Sequence, residues 1–164
     1  SKNLADKFGK RNVFGTFLFI STLFVIAFYF FSPSSVALMF FSQILHGFFY
    51  GITIPLLWAM IADVADYSEW KNNRRATAII FSAMMVGLKA GLTFGGSLTT
   101  AILGHFNYVP NSLVQPESAI NGINLLISIF PAIPFLIGAG LLFFYEINKK
   151  MEVQIESDLK NRRS

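Results

Sequence analysis

The chain has 164 residues, 54% of them hydrophobic and only 13% charged, about half the charged share of an ordinary soluble domain. Nineteen of the residues are Phe, which suits contact with lipid better than a small aqueous core. The net charge of +4 sits on residues that flank apolar stretches, so it calls for no nucleic-acid partner. The lack of cysteine excludes thiolate metal sites and disulfide chemistry.

Charge is segregated along the sequence. Asn12 to Ala62 and Gly122 to Tyr145 hold no Asp, Glu, Lys or Arg, and Ala76 to Gly104 holds only Lys89. A membrane-crossing helix needs about 20 mostly apolar residues. The gaps therefore predict an all-α integral membrane protein with four transmembrane helices, at about 12–31, 36–62, 76–104 and 122–145. Residues 1–11 read as a loop and 147–164 as a tail. Lys and Arg concentrate in 1–11, in 63–75 and in the tail, and are absent from 32–35 and 105–121. By the positive-inside rule both termini and the 63–75 loop lie in the cytoplasm. The first residue is Ser rather than Met, and Lys2–Arg11 reads as an internal loop, so a piece of a longer protein is expected. The first apolar run is too long for a signal peptide and has no cleavage-like end.

The first span is apolar nearly all round, as a peripheral helix would be, and Ser32-Pro33-Ser34-Ser35 reads as a tight turn. In the second span Gln43, His46, Tyr50 and Thr53 recur at helical spacing, forming a polar stripe that must face protein or water. In the third, Ala83, Gly87, Gly91 and Gly95 recur every fourth residue, a ridge that lets another helix approach closely. Lys89 lies almost opposite that ridge, on a face with Ser82, Met85, Thr93, Gly96 and Thr100. A lysine at this depth costs about 2.5–3.5 kcal/mol, and its span offers no counter-charge. Lys89 is therefore read as lying on a substrate path, with Met85, Thr93, Tyr50 and His46 as candidate residues of the same region. Gly87, Gly91 and Gly95 are assigned to helix packing. Pro131 and Pro134 predict a kink in the fourth span. In the tail, Ile147, Met151, Ile155 and Leu159 make one apolar stripe, predicting a short amphipathic helix on the membrane surface or against the bundle.

Neither His46 nor His105 has a second histidine or a carboxylate at metal-ligand spacing, and no catalytic motif is present, so neither an enzyme nor a metal site is expected. The acids and bases of Asp63–Arg75 could form an ion-pair network that closes an inner gate.

Three stretches carry a family resemblance. Leu4-Ala5-Asp6-Lys7-Phe8-Gly9-Lys10-Arg11 resembles the basic cytoplasmic loop of the major facilitator superfamily. Trp58-Ala59-Met60-Ile61-Ala62-Asp63 through Arg75 resembles the loop between helices ten and eleven of the glycoside–pentoside–hexuronide:cation symporters, the melibiose-permease-like branch. Lys89-Ala90-Gly91, then Tyr108-Val109-Pro110-Asn111 and Gly122-Ile123, resembles that family's eleventh helix, outer loop and entry to the twelfth. The resemblance implies helices nine to twelve of a twelve-helix transporter in the plasma (inner) membrane. It implies symport of a sugar or glycoside with a coupling cation, Na⁺ or H⁺, with no other cofactor. It assigns Lys89 to the sugar and cation region, and Asp63, Asp66, Glu69 and Arg75 to the cytoplasmic gate. The main cation site would lie in missing N-terminal helices of the same transporter. Met84 and Met85 depart from the polar residues of melibiose permease, which points away from a galactoside and leaves a pentoside or another glycoside. The competing class is a free-standing four-helix membrane protein, an oligomeric exporter or an assembly subunit. An exporter would be expected to carry an intramembrane carboxylate, and these spans have none.

Overall fold

The computed structural model describes residues 2–74 and 76–163, and among them it contains only helices and their connections. A short helix α1 (Lys2–Phe8) leads into α2 (Lys10–Ala27), which ends in a 3₁₀ turn, Phe28–Phe30. Then follow α3 (Val36–Asn72), α4 (Thr77–His105), α5 (Glu117–Ile127), α6 (Ile129–Leu141) with a 3₁₀ turn Leu142–Phe144, and α7 (Lys149–Arg163). Four stretches are long and apolar enough to cross a membrane: Lys10–Phe30, Val36–Asn72, Thr77–His105 and Glu117–Phe144.

The helix junctions follow from local chemistry. Gly9 adopts φ +83°, a left-handed conformation open to glycine, and so turns α1 away from α2. Ser35 N–H closes the turn onto the Ser32 carbonyl at 2.8 Å, with Pro33 supplying the fixed φ. The fourth span is two helices. Pro131 has no N–H for the Ile127 carbonyl and its ring presses on that carbonyl. The chain breaks there, at Ser128, whose φ and ψ are −124° and −77°. The Ser128 hydroxyl donates back to the Asn124 carbonyl. The predicted kink is thus a break placed one turn before the first proline.

One boundary differs from the reading of charge alone. Asp63 to Asn72, taken as part of a loop, are the last turns of α3, which runs for 37 residues before Asn73 caps it at φ 52°. At 1.5 Å per residue such a helix is about 55 Å long, far more than the roughly 30 Å of hydrocarbon. Its charged turns therefore project beyond the apolar slab, where charge no longer opposes helix.

The core lies between α2, α3 and α6. Val13 and Leu18 of α2 and Leu56 and Met60 of α3 are buried, Phe49 stacks on Phe24 with centroids 5.7 Å apart, and Ser21, Thr22, Ser42 and Thr53 are buried small polar residues that let the helices come close. By contrast, no residue of α4 is buried. Trp58 of α3 stacks on Phe81 at 6.4 Å. At its far end α4 is held by Phe106, whose carbonyl accepts a 3.0 Å bond from the Ser118 hydroxyl.

That last contact is tight. A Cβ on Gly122 would sit 2.6 Å from Cβ and Cγ of Phe106, whereas one on Gly140 would meet nothing within 4 Å. Gly122→Ala should lower stability by about 1–3 kcal/mol, the range for overpacking. Gly140→Ala should be neutral or slightly stabilising, by up to about 1 kcal/mol. Thermal unfolding of the two variants in detergent checks this; equal melting temperatures would refute the close contact.

Candidate functional site

Polar chemistry gathers in two places, the charged end of the bundle and the middle of α3 and α4. At the charged end Lys10, the first residue of α2, donates to both carboxylate oxygens of Asp63 at 2.7 and 2.8 Å. Its ammonium is also 2.9 Å from Glu152 of α7. The side chains of Lys10 and Asp63 are 22% and 16% exposed, an intermediate setting in which neither full solvent screening nor the full desolvation cost of a buried pair applies. Asp66 lines the same cleft, with Ile147, Ile155 and Leu159.

The tail helix is strapped over this end of α3. Ile155 and Leu159 of its apolar stripe are buried and Met151 is half-buried, so the stripe lands on the bundle; Ile147, expected on the same helix, is buried in the segment just before it. Polar contacts fix its position. Trp70 Nε1 donates to Asp158 at 2.8 Å. Arg162 donates to the Trp70 carbonyl at 3.1 Å and to Asn73 Oδ1 at 2.9 Å. Within α7 itself, Lys149 reaches Glu152 at 3.9 Å. Beyond the last span, Tyr145 donates its hydroxyl to the Met60 carbonyl at 3.3 Å, and its own carbonyl accepts from Arg11 at 3.0 Å. Burial, reinforced by the negative charges of Asp63 and Glu152, holds the Tyr145 phenol well above the ordinary tyrosine range.

Of the four residues that the sequence reading assigned to a gate, Asp63 is thus in an ion pair and Asp66 is beside it. Glu69 is half-buried on the next turn of α3, and Arg75 lies outside the described residues. Sequence reasoning missed Lys10 and Glu152 as partners, and also Trp70, Asp158, Arg162 and Tyr145. The signal available was the tail's apolar stripe, which demanded a landing surface.

In the middle of the bundle His46 Nδ1 lies 2.9 Å from the Ser21 hydroxyl and 3.2 Å from the Ser21 carbonyl of α2. Its ring stacks on Tyr50 at 5.7 Å, and Tyr50 on Phe135 of α6 at 5.6 Å. Both residues are therefore engaged with α2 and α6. Lys89 is elsewhere: it is exposed on α4 with Met85 and Thr93, and the Thr93 hydroxyl donates to the Lys89 carbonyl at 3.0 Å. Among the described residues no hydrogen bond, ion pair or ring contact joins Lys89 to His46 or Tyr50, and its ammonium has no partner. Gly87, Gly91 and Gly95 are also exposed, and a Cβ on any of them would meet nothing within 4 Å. The ridge packs on no described part of this chain. Among the described residues no group of three or more His, Asp or Glu is placed to hold a metal ion.

Comparison with known proteins gives a coherent result. A sequence model described as MFS/sugar transport protein matches residues 1–149. The chain is 30% identical over 157 residues to a putative glycoside/cation symporter, YagG, of Escherichia coli (strain K12), covering 96% of the chain and 34% of that protein. It is 32% identical over 155 residues to an uncharacterized 29.9 kDa protein in the crtE 3′ region of Pseudescherichia vulneris, covering 94% of the chain and 57% of that protein. It is 34% identical over 117 residues to an uncharacterized symporter, YjmB, of Bacillus subtilis (strain 168), covering 70% and 25%. The chain spans about a third of the length of the first of these relatives. No solved structure matches it significantly.

Two outcomes test the charged end. In a double-mutant cycle with Lys10→Met and Asp63→Asn, the coupling energy should exceed about 1 kcal/mol, within the range for residues in direct contact. A coupling near zero would mean the pair contributes no more than a solvated one. Tyr145 binds its proton more tightly folded than unfolded, so above the unfolded pKa of about 10 the unfolded state loses protons first and stability falls as pH rises. Tyr145→Phe should remove that share of the loss, seen as a shallower decline of melting temperature above pH 10 than in the parent.

Proposed function

Because the chain belongs to the MFS/sugar transport protein family, we propose that it supplies the last four membrane helices of a multi-pass inner-membrane carrier that moves a sugar or glycoside together with a cation. Both ends of the chain then lie in the cytoplasm, as the placement of Lys and Arg suggests. The observation that carries the reading is Lys89. It stands exposed near the middle of a helix of 29 residues, none of them buried, with no partner among the described residues. In this reading its counter-charge is a carboxylate on a facing helix outside the chain, and the ridge of Gly87, Gly91 and Gly95 packs against a second helix there. Substrate sits near the midplane, and two halves rock about it. Binding of sugar or of Na⁺ or H⁺ reorganises the lysine–carboxylate pair, which couples the two.

The name of the relative from Escherichia coli, a putative glycoside/cation symporter, supports the substrate class and the coupling. At the charged end Lys10, Asp63 and Glu152, with Asp66 beside them, serve as the inner gate. Their burial is partial, so the pairs can be exchanged for water as the gate opens, at a cost of about a kcal/mol or so rather than several.

The test is transport by the intact protein in proteoliposomes. Lys89→Ala should cut cation-driven sugar uptake at least tenfold while the protein still inserts and folds, and Lys89→Arg should restore part of it. Normal cation-coupled uptake by Lys89→Ala would overturn the proposal.

A further inference from the structure

A groove of about 570 Å³ runs between α2 and α6. Gly15 and Gly140 line it: a Cβ on Gly140 would meet nothing within 4 Å, Gly15 is covered by Leu142, whose Cδ1 would lie 3.1 Å from a Cβ there, and Phe19 and Leu136 add apolar walls. At the charged end the groove meets Arg11 and Asn12, which it shares with an adjoining polar cavity of about 370 Å³. Of the cations lining that cavity, Lys10 is taken up by Asp63 and Glu152, and Lys149 is paired with Glu152. Arg11 and Lys150 carry no carboxylate partner among the described residues. Arg11 uses one N–H on the Tyr145 carbonyl, and a guanidinium has five donors in a planar fork suited to phosphate. The exposed Thr16 hydroxyl stands one turn further in.

We infer that this groove is a binding site for an anionic glycerophospholipid. The headgroup phosphate sits on Arg11, with Lys150 beside it, and one acyl chain lies along the groove beside Gly140. From Arg11 to Phe19 the helix rises about 12 Å, enough for the first half of an acyl chain. The occupant is chosen by charge as well as shape. A groove of this kind facing hydrocarbon would take any acyl chain, but a guanidinium with no carboxylate partner at its mouth, at the depth where the apolar span begins, selects a lipid that carries net negative charge. A zwitterionic lipid brings its own ammonium, which the neighbouring Lys150 repels. The lipid would line the seam between α2 and α6 beside the open face of Gly140.

The experiment is native mass spectrometry of the intact protein, purified in detergent and titrated with dioleoylphosphatidylglycerol or with dioleoylphosphatidylcholine. The parent should bind the phosphatidylglycerol at least tenfold more tightly. Arg11→Gln should bring the phosphatidylglycerol affinity down to that of phosphatidylcholine, with both lipids still bound, which also shows that the variant is folded. Gly140→Phe fills the trough from a position with no atom within 4 Å of its Cβ, and should weaken both lipids at least tenfold. Equal affinity of the parent for the two lipids, an Arg11→Gln protein that keeps its preference, or a Gly140→Phe protein that binds as the parent does would each overturn the assignment.

Discussion

The constraint on which the rest depends is that hydrocarbon offers no water to a backbone amide or a charge. It explains the long charge-free runs, and it explains what the hydroxyls inside the spans do. Thr22 donates to the Leu18 carbonyl, Thr99 to Gly95 and Thr100 to Gly96, each one turn back on its own helix. Few side-chain bonds cross between helices at this depth: Ser42 to the Phe24 carbonyl, and the contact of Ser21 with His46. These tie α2 to α3, and no buried side-chain nitrogen or oxygen among the described residues lacks a partner. The outer surfaces are left to apolar residues such as Phe40, Ile44 and Phe48 on one face of α3.

The same constraint divides the molecule. Where α3 leaves the apolar slab, charge becomes affordable, and the chain uses it to bind α2, α3 and α7 into one unit through Lys10, Asp63, Glu152 and the Trp70–Asp158 contact. The helix α4 has no comparable anchor. It is pinned at its far end by Phe106 against Gly122 and Ser118 and leans on Trp58 through Phe81. α4 is thus left with open faces, while α2, α3 and α7 are joined by contacts at the charged end.

Much of this was legible in the sequence, for a physical reason. Hydropathy reports how long a segment stays in hydrocarbon, so the four spans could be read from charge alone. The tail's stripe at Met151, Ile155 and Leu159 was legible because burial of one face imposes helical spacing, whereas Ile147, though buried, lies before the helix begins at Lys149. What was not legible depended on register between helices. His46 could be placed on a polar stripe, but that it meets Ser21 depends on how α2 and α3 slide against each other. Asp63 could be seen as a gate acid, but its partner Lys10 is 53 residues away. The length of α3 was hidden because charge was taken as a mark of loop, when it marks only the exit from lipid. Pro131 and Pro134 signalled a bend, whereas the site of the break follows from the carbonyl one turn earlier.

Lys89 separates the readings of α4. Taking Thr77–His105 as its ends, Lys89 is about 18 Å from one and about 24 Å from the other at 1.5 Å per residue. A four-carbon stem covers only a fraction of either distance, so snorkelling does not relieve it. A subunit serving only assembly could use the glycine ridge and would gain nothing from a cation on the opposite face. A lysine kept at such depth is stable only if something polar arrives to meet it, and the ridge behind it allows a neighbouring helix to hold α4 at a fixed distance while that happens. In the proposed reading the two faces act together, one positioning the helix and one receiving charge.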